Sequence, residues 1–185
     1  MGYVGVMGDA DGVRYLVEAA GHLVHSMGRT DIQFLLMGTG PEHANLVALR
    51  DRLGLQGTVD LPGRVSNEFL FSALQTIDIG ASCDPINPYN HHCTMNKVLE
   101  YMVFGKPQVL FDLEEGRYSA GDAAVYVSEN SPIKLAEAIA SLLDDTSARE
   151  RMGRLALERF RTELNWDRSV ESLLRAYGRL FGAHY

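Results

Sequence analysis

Short apolar runs alternate with amphipathic helical stretches along almost the whole chain, and this alternation restricts the fold more than any other feature. "GYVGV" (2–6) precedes a stretch at 13–27 in which Val13, Leu16, Val17, Ala20, Leu23, Val24 and Met27 recur at helical spacing. "IQFLLMG" reads as a buried strand closed by "GTGP", and Pro41 suits the first position of a helix running to 53. "GTVDLPG" is a third strand, 67–75 a short helix with Ser66 as its cap, and "IDIGASC" a fourth strand. A helix is expected over 94–104, strands at "QVLF" and "AAVYV", and three closing helices over 133–143, 148–163 and 168–180. "FDLEEGRYSAGDA" (111–123) reads as a loop with two acids, one arginine and two glycines. Strands alternating with helices predict an α/β fold, a doubly wound parallel sheet covered on both faces. Right-handed crossovers narrow the choice, and six strands in the order 3-2-1-4-5-6, a Rossmann-like arrangement, fit best.

A chain of 185 residues that is 46% apolar is long enough for one full core and a small appendage. The net charge of −7 argues against a general nucleic-acid binder, which needs a basic face for phosphates. No run of apolar residues is long enough for a transmembrane segment, and "MGYVGVMGDADG" lacks the basic-then-apolar pattern of a signal peptide. Two cysteines, Cys83 and Cys93, fit reduced thiols and a cytoplasmic location. The first strand begins without a lead-in, as in a small protein that opens on a strand or in a piece of a larger one.

The strand order places a ligand site. Ligands of doubly wound sheets bind beyond the carboxyl ends of the strands where the order reverses, here between strands one and four. The loop after strand one is "MGDADG" (7–12), and the loop after strand four is "DPINPYNHHC" (84–93). The second feeds into a helix whose first turn carries Met95, Asn96 and Lys97, with no acid before Glu100. Helix N-termini favour acids, so a lysine there suggests that the missing anion belongs to a ligand. With Thr94 as cap, the amides around Met95 and Asn96 and the Lys97 ammonium would make a phosphate site. The alternative is an ordinary ion pair between Lys97 and Glu100, three residues on. Glu100 also suits a vicinal diol such as ribose, because a carboxylate accepts two hydrogen bonds at once.

"GVMGDADG" contributes Gly5, Met7 and Gly8, without GxGxxG spacing. It is either backbone that approaches a phosphate closely or a plain tight turn. Arg117 lies on the same sheet edge and either reaches a phosphate or pairs with Glu114 or Glu115. His91, His92 and Cys93, with Cys83, resemble metal ligands, but three contiguous side chains do not converge easily on one ion. A polar loop lining the cleft is the better reading, and no metal or cofactor is expected. No catalytic triad, GxSxG elbow or P-loop is present. The residues describe a binder of a nucleotide-like ligand more than a complete catalytic machine.

Five motifs in order resemble the C-terminal, donor-binding domain of the retaining GT-B glycosyltransferases of the group 1 kind. They are "YVGVMGDADGV", "FLLMGTGPE", "VDLPGRV", "TMNKVLEYMVFGKPQVLFDL" and "LLDDTSARERMGRLALERF", of which the fourth is the most specific. The resemblance implies two Rossmann-like domains, the N-terminal one for acceptor and this one for a nucleotide-sugar, a nucleoside-diphosphate sugar. It implies that Glu100, the second acid of a Glu-x7-Glu pair, binds ribose, that amides near Met95 and Asn96 hold the diphosphate, and that Arg64 and Val65 flank the base. The sequence departs from the family at His92, where the first acid would fall, and at Val6 and Asp11, where two cations would fall. Lys97, together with Arg117, is then expected to replace those cations.

The function implied is the donor half of a hexosyltransferase-type enzyme of polysaccharide biosynthesis, inactive in transfer by itself. The alternatives are a stand-alone nucleotide-sugar-binding module or a sugar-nucleotide epimerase of the same fold. The whole protein is expected in the cytoplasm or peripheral at the inner membrane face. The domain is placed at 1–165. Residues 166–185 form a final helix with an apolar stripe of Trp166, Val170, Leu173, Leu174, Tyr177, Leu180 and Phe181. Its first half is expected to pack on this domain's own sheet. By resemblance, its last turns cross to the missing N-terminal acceptor domain, and self-association of the fragment is expected through them.

Overall fold

The computed structural model describes residues 1–182. Six parallel strands form one sheet in the order β3-β2-β1-β4-β5-β6, the order expected. They are β1 (Gly2–Val4), β2 (Phe34–Met37), β3 (Val59–Gly63), β4 (Gly80–Ser82), β5 (Gln108–Phe111) and β6 (Ala124–Val127). The helices between them are α1 (Val13–His25), α2 (His43–Arg52), α3 (Asn67–Thr76), α4 (Asn96–Val103) and α5 (Glu114–Ala120), and α6 (Pro132–Asp144), α7 (Thr146–Thr162) and α8 (Trp166–Phe181) follow. The central strands are short and buried, as a sheet covered on both faces requires. The packed pairs α1 with α6 and α4 with α7 contribute to that cover.

Three local expectations are corrected. Pro41 lies in a turn, and α2 begins at His43. The stretch 111–123 is not a loop: Phe111 ends β5, and 114–120 form α5, with Glu114 and Glu115 in the first turn where acids suit the helix dipole. The first half of α8 does not pack on the sheet, because α8 has no buried residue at all.

The sheet is weakest at its middle. β1 and β4 share a single residue pair, Gly2 with Gly80, and the Gly2 amide donates to the Ile79 carbonyl at 2.9 Å. At the next rung the strands have parted, and Tyr101 of α4 fills the gap. The Val4 amide donates to the Tyr101 hydroxyl (3.1 Å), which in turn donates to the Ala81 carbonyl (2.9 Å). A side-chain hydroxyl thus replaces one direct backbone bond and keeps both backbone groups satisfied. Gly80 has to be glycine here, because an added Cβ would lie 2.5 Å from the Tyr101 ring.

Candidate functional site

The residues that split β1 from β4 also shape the crevice above them. Tyr101 and Lys97 are one turn apart on the inward face of α4. Tyr101 occupies the lower level of the split and Lys97 the upper. Lys97 is only 7% exposed, and its ammonium lies 5.3 Å from the centre of the Tyr3 ring. It does not pair with Glu100. Both oxygens of Asp84, the first residue after Cys83 at the end of β4, accept from Lys97 Nζ, at 2.8 and 3.0 Å. Asp84 is 2% exposed and also accepts from the Ser82 hydroxyl. A buried ion pair needs such extra hydrogen bonds to offset its lost hydration. A second carboxylate, Asp11 on the loop after β1, stands 4.0 Å from the same ammonium.

The start of α4 differs from the expectation in detail. The helix begins at Asn96, its cap position is Met95, and no side chain caps it. Thr94 is not the cap; its hydroxyl donates to Glu115 of α5 at 2.8 Å. His91 joins the same contact, its Nδ1 accepting from the Glu114 amide at 3.3 Å. The loop after β4 is therefore tied down on α5 on one side and by the Lys97–Asp84 pair on the other. Across the crevice, α1 also begins without a side-chain cap, at Gly12. α2 and α5 likewise take no cap from their own N-cap residues, although His91 accepts the Glu114 amide of α5, whereas α3, α6, α7 and α8 are capped by Ser66, Ser131, Asp145 and Asn165. The free amides of a helix N-terminus are an anion site unless a cap takes them, and the two helices flanking the split leave them untaken by side chains.

The loop after β1 offers less than expected. The Gly5 amide donates to the Met37 carbonyl (3.1 Å) and the Met7 amide to the Thr39 carbonyl (3.1 Å), so neither is free for a ligand, and the Met7 side chain is fully buried. The Gly8 amide donates to the Asp11 carboxylate at 2.9 Å. Gly5 does sit where close approach demands glycine, with φ of +151° and an added Cβ 3.2 Å from Lys97 Cε. Arg117 pairs with Asp112, not with Glu114 or Glu115, and its guanidinium lies over the Tyr126 ring at 4.3 Å. It is committed away from the crevice. Arg64 and Val65 follow β3 directly, Arg64 exposed. Glu100 faces outward from α4, and partial burial raises its carboxyl above the usual range while Lys97 pulls the other way. Cys83 is buried and its thiol pushed up by burial, and the Cys93 thiol lies 3.3 Å from the Tyr89 carbonyl. Among the described residues, no three His, Cys, Asp or Glu side chains converge in a metal-holding group, and no helix is long and apolar enough to cross a membrane.

Three residues central to this geometry were not legible as such: Asp84, Asp11 and Tyr101. Asp84 was visible only as a loop acid thirteen residues before Lys97, and pairing across that distance needs the fold. Tyr101 carried one available signal, an aromatic four residues after Lys97 and therefore on the same helix face.

Comparison with known proteins places the chain in a group. The family model described as "Glycosyl transferases group 1" matches residues 1–145. The alpha-D-kanosaminyltransferase of Streptomyces kanamyceticus is 31% identical over 152 residues, covering 81% of this chain and 38% of that protein. A TarM variant from S. aureus, crystallised with fondaparinux, α-GlcNAc-glycerol and UDP, superposes with a TM-score of 0.81 at 18% identity, covering 97% of this chain and 34% of that one. The C-terminal domain of the group 1 glycosyl transferase LpcC from Francisella tularensis superposes with a TM-score of 0.74 at 16% identity, covering 89% of this chain and 85% of that one. The chain thus spans well under half of the kanosaminyltransferase and TarM chains, and nearly matches the LpcC domain in extent.

Proposed function

The chain belongs to the group 1 glycosyl transferases, and from that premise we propose that it is the donor-binding half of an enzyme that moves a sugar, with retention, from a nucleoside-diphosphate sugar to an acceptor. The observation that carries this reading is the uncapped start of α4 at the split between β1 and β4, with the buried Lys97 in its first turn. The diphosphate lies against the first turn of α4, at the Met95 and Asn96 amides, with the buried Lys97 ammonium behind them. Glu100 takes the ribose hydroxyls, and Arg64 and Val65 flank the base. UDP in the TarM structure is consistent with such a ligand.

The work of this half is electrostatic. As the bond to the sugar breaks, charge accumulates on the leaving diphosphate, and the fixed amides of the α4 N-terminus stabilise it without reorganising. Lys97 cannot act as a free cation, since Asp84 neutralises most of its charge; its contribution is a fixed, short-range dipole together with the helix amides. The acceptor is held by an N-terminal domain outside this chain. Helix α8 reaches toward that domain, which accounts for an apolar stripe that none of the described residues buries.

Calorimetric titration of the chain with UDP, GDP, their sugar conjugates and inorganic diphosphate tests the reading. A nucleoside diphosphate is expected to bind, and Glu100→Gln to weaken it about tenfold, on the order of one charge-assisted hydrogen bond, while leaving inorganic diphosphate almost unchanged. Equal losses for both ligands, or no binding of any nucleotide, would refute the assignment of Glu100 to ribose or of the crevice to nucleotides respectively.

A further inference from the structure

We propose that Asp11 is a charge filter in the crevice, one that weakens the free nucleoside diphosphate more than the intact nucleotide-sugar. The inference rests on the reading above that the diphosphate lies at the first turn of α4 beside Lys97.

Asp11 already stands where an anion would stand. One of its carboxylate oxygens accepts the Gly8 amide at 2.9 Å, and the other is 4.0 Å from Lys97 Nζ. Of the three loop amides considered for phosphate, Gly5 and Met7 are held by backbone carbonyls, and only Gly8 is held by a side chain. The two carboxylates around Lys97 also differ. Asp84 is buried and grips the ammonium with both oxygens, whereas Asp11 is 25% exposed and touches it with one, at longer range. Asp84 is a permanent partner; Asp11 is the displaceable one. With both in place, one ammonium faces two carboxylates, so the crevice floor carries a net negative charge.

The backbone that carries Asp11 is pinned, so the filter cannot swing away as a loop. Gly12 adopts φ of +63°, and an added Cβ would sit 2.0 Å from the Cys83 carbonyl oxygen, so this turn is pressed against the end of β4. Asn90 Nδ2 donates to the Ala10 carbonyl at 3.4 Å, and the Cys83 thiol donates to the Asp11 carbonyl at 3.6 Å. Only the Asp11 side chain can yield. A phosphate that reaches Gly8 and Lys97 must displace that carboxylate or sit beside it.

The two ligands differ in charge at that point. In a nucleotide-sugar each phosphate is bridged through two oxygens, one ester and one anhydride, and each carries one charge. Once the sugar has left, the terminal phosphate gains a second ionisation with a pKa near 6. At about pH 7.5 the product therefore carries an additional charge next to Asp11, and is repelled more than the donor. A site that held the product as tightly as its charge invites would be slow to clear, and product release often limits turnover. Asp11 places a negative charge 4.0 Å from the Lys97 ammonium, the sign opposite to the one that would retain product.

The test is calorimetry on the whole chain with UDP, UDP-glucose, GDP and GDP-mannose, comparing the natural sequence with Asp11→Asn and Asp11→Ala. Asparagine preserves an acceptor for the Gly8 amide and removes the charge. Asp11→Asn is expected to tighten the nucleoside diphosphate about tenfold, the scale of one screened charge pair, and its sugar conjugate only about two- to threefold. The excess should shrink markedly at about pH 5.5, where the terminal phosphate is mostly singly charged. Equal tightening of both ligands, or no change in either while Glu100→Gln still weakens the nucleotide, overturns the filter and leaves the nucleotide site standing. Failure of every nucleotide to bind every form overturns the site itself, and the filter with it.

Discussion

Helices α4 and α8 are both amphipathic, and they end in opposite places. The eight residues of α4 bury Lys97, Val98, Tyr101 and Met102, a lysine and a tyrosine among them. The sixteen residues of α8 bury none, and Trp166 and Phe181 are 69% and 76% exposed. An apolar stripe shows that a helix needs a cover; it does not show whether the cover lies in the same domain. The polar residues are the better guide. On α4 the inward ones have specific partners, Asp84 just beyond β4 for Lys97 and two backbone groups of β1 and β4 for Tyr101. On α8 the described contacts of polar side chains are local, such as Arg168 to the Thr162 carbonyl and Arg175 to the Ser172 hydroxyl.

The contrast can be broken by mutation. Lys97→Ala should cost the most, about 3–5 kcal/mol of stability in urea unfolding, because it leaves Asp84 buried without its partner. Adding Asp84→Leu to Lys97→Met should recover most of that loss, since an apolar pair of similar volume replaces two charges. A loss under about 1 kcal/mol for Lys97→Ala would mean that the pair is hydrated and α4 is held by its apolar residues alone.

Tyr101→Phe comes next. It strips the hydroxyl from a rung between Val4 and Ala81 and should cost about 1–3 kcal/mol, the penalty of unsatisfied buried backbone groups. A neutral result would show that β1 and β4 close directly once the hydroxyl is gone.

The outward face of α4 is tested by pH. Partial burial raises the Glu100 carboxyl above the ordinary glutamate range. If its carboxylate takes the ribose, nucleotide affinity holds above that raised pKa and falls as pH drops through it, at a higher pH than an ordinary glutamate would produce. Calorimetry along a pH series should show this fall for a nucleoside diphosphate and its absence in Glu100→Gln. An unchanged profile in that variant would move the titration to another group.

The smallest effect belongs to α8. Removing residues 166–185 should change the stability of the rest by no more than about 0.5 kcal/mol, as for exposed positions without special contacts. It should also reduce any self-association seen by light scattering, because the exposed stripe goes with it. A large loss of stability would show that α8 covers this domain in solution and would erase the contrast with α4.

Most of the fold could be read from the sequence because period and punctuation are local properties. β5 begins and ends at the residues expected, and Ser66 caps α3 as its spacing predicts. The errors fall where a local pattern has two outcomes. The stretch 114–120 contains Gly116 and two acids and looks like a loop, yet the acids suit a helix start and the turn is held by contacts to β5. The candidate site was legible in place but not in wiring. Strand order alone put Lys97 at the crevice. Its partner is Asp84 and not Glu100, because α4 turns Lys97 inward and leaves Glu100 outward, and which face turns inward depends on the split between two strands far apart in sequence. The amides of Gly5 and Met7 were lost to β2 and the segment after it for the same kind of reason: their acceptors lie about thirty residues on.

The hydroxyl rung at the middle of the sheet also gives the molecule a built-in spectroscopic reporter. The Val4 amide proton is shielded by a side chain from a separate element, so its exchange with solvent requires α4 to lift, whereas the Gly2 amide, bonded to the Ile79 carbonyl, exchanges only when the strands themselves part. The ratio of the two rates, followed by NMR, separates undocking of one helix from opening of the sheet, and a ligand seated on α4 would slow the first rate without touching the second.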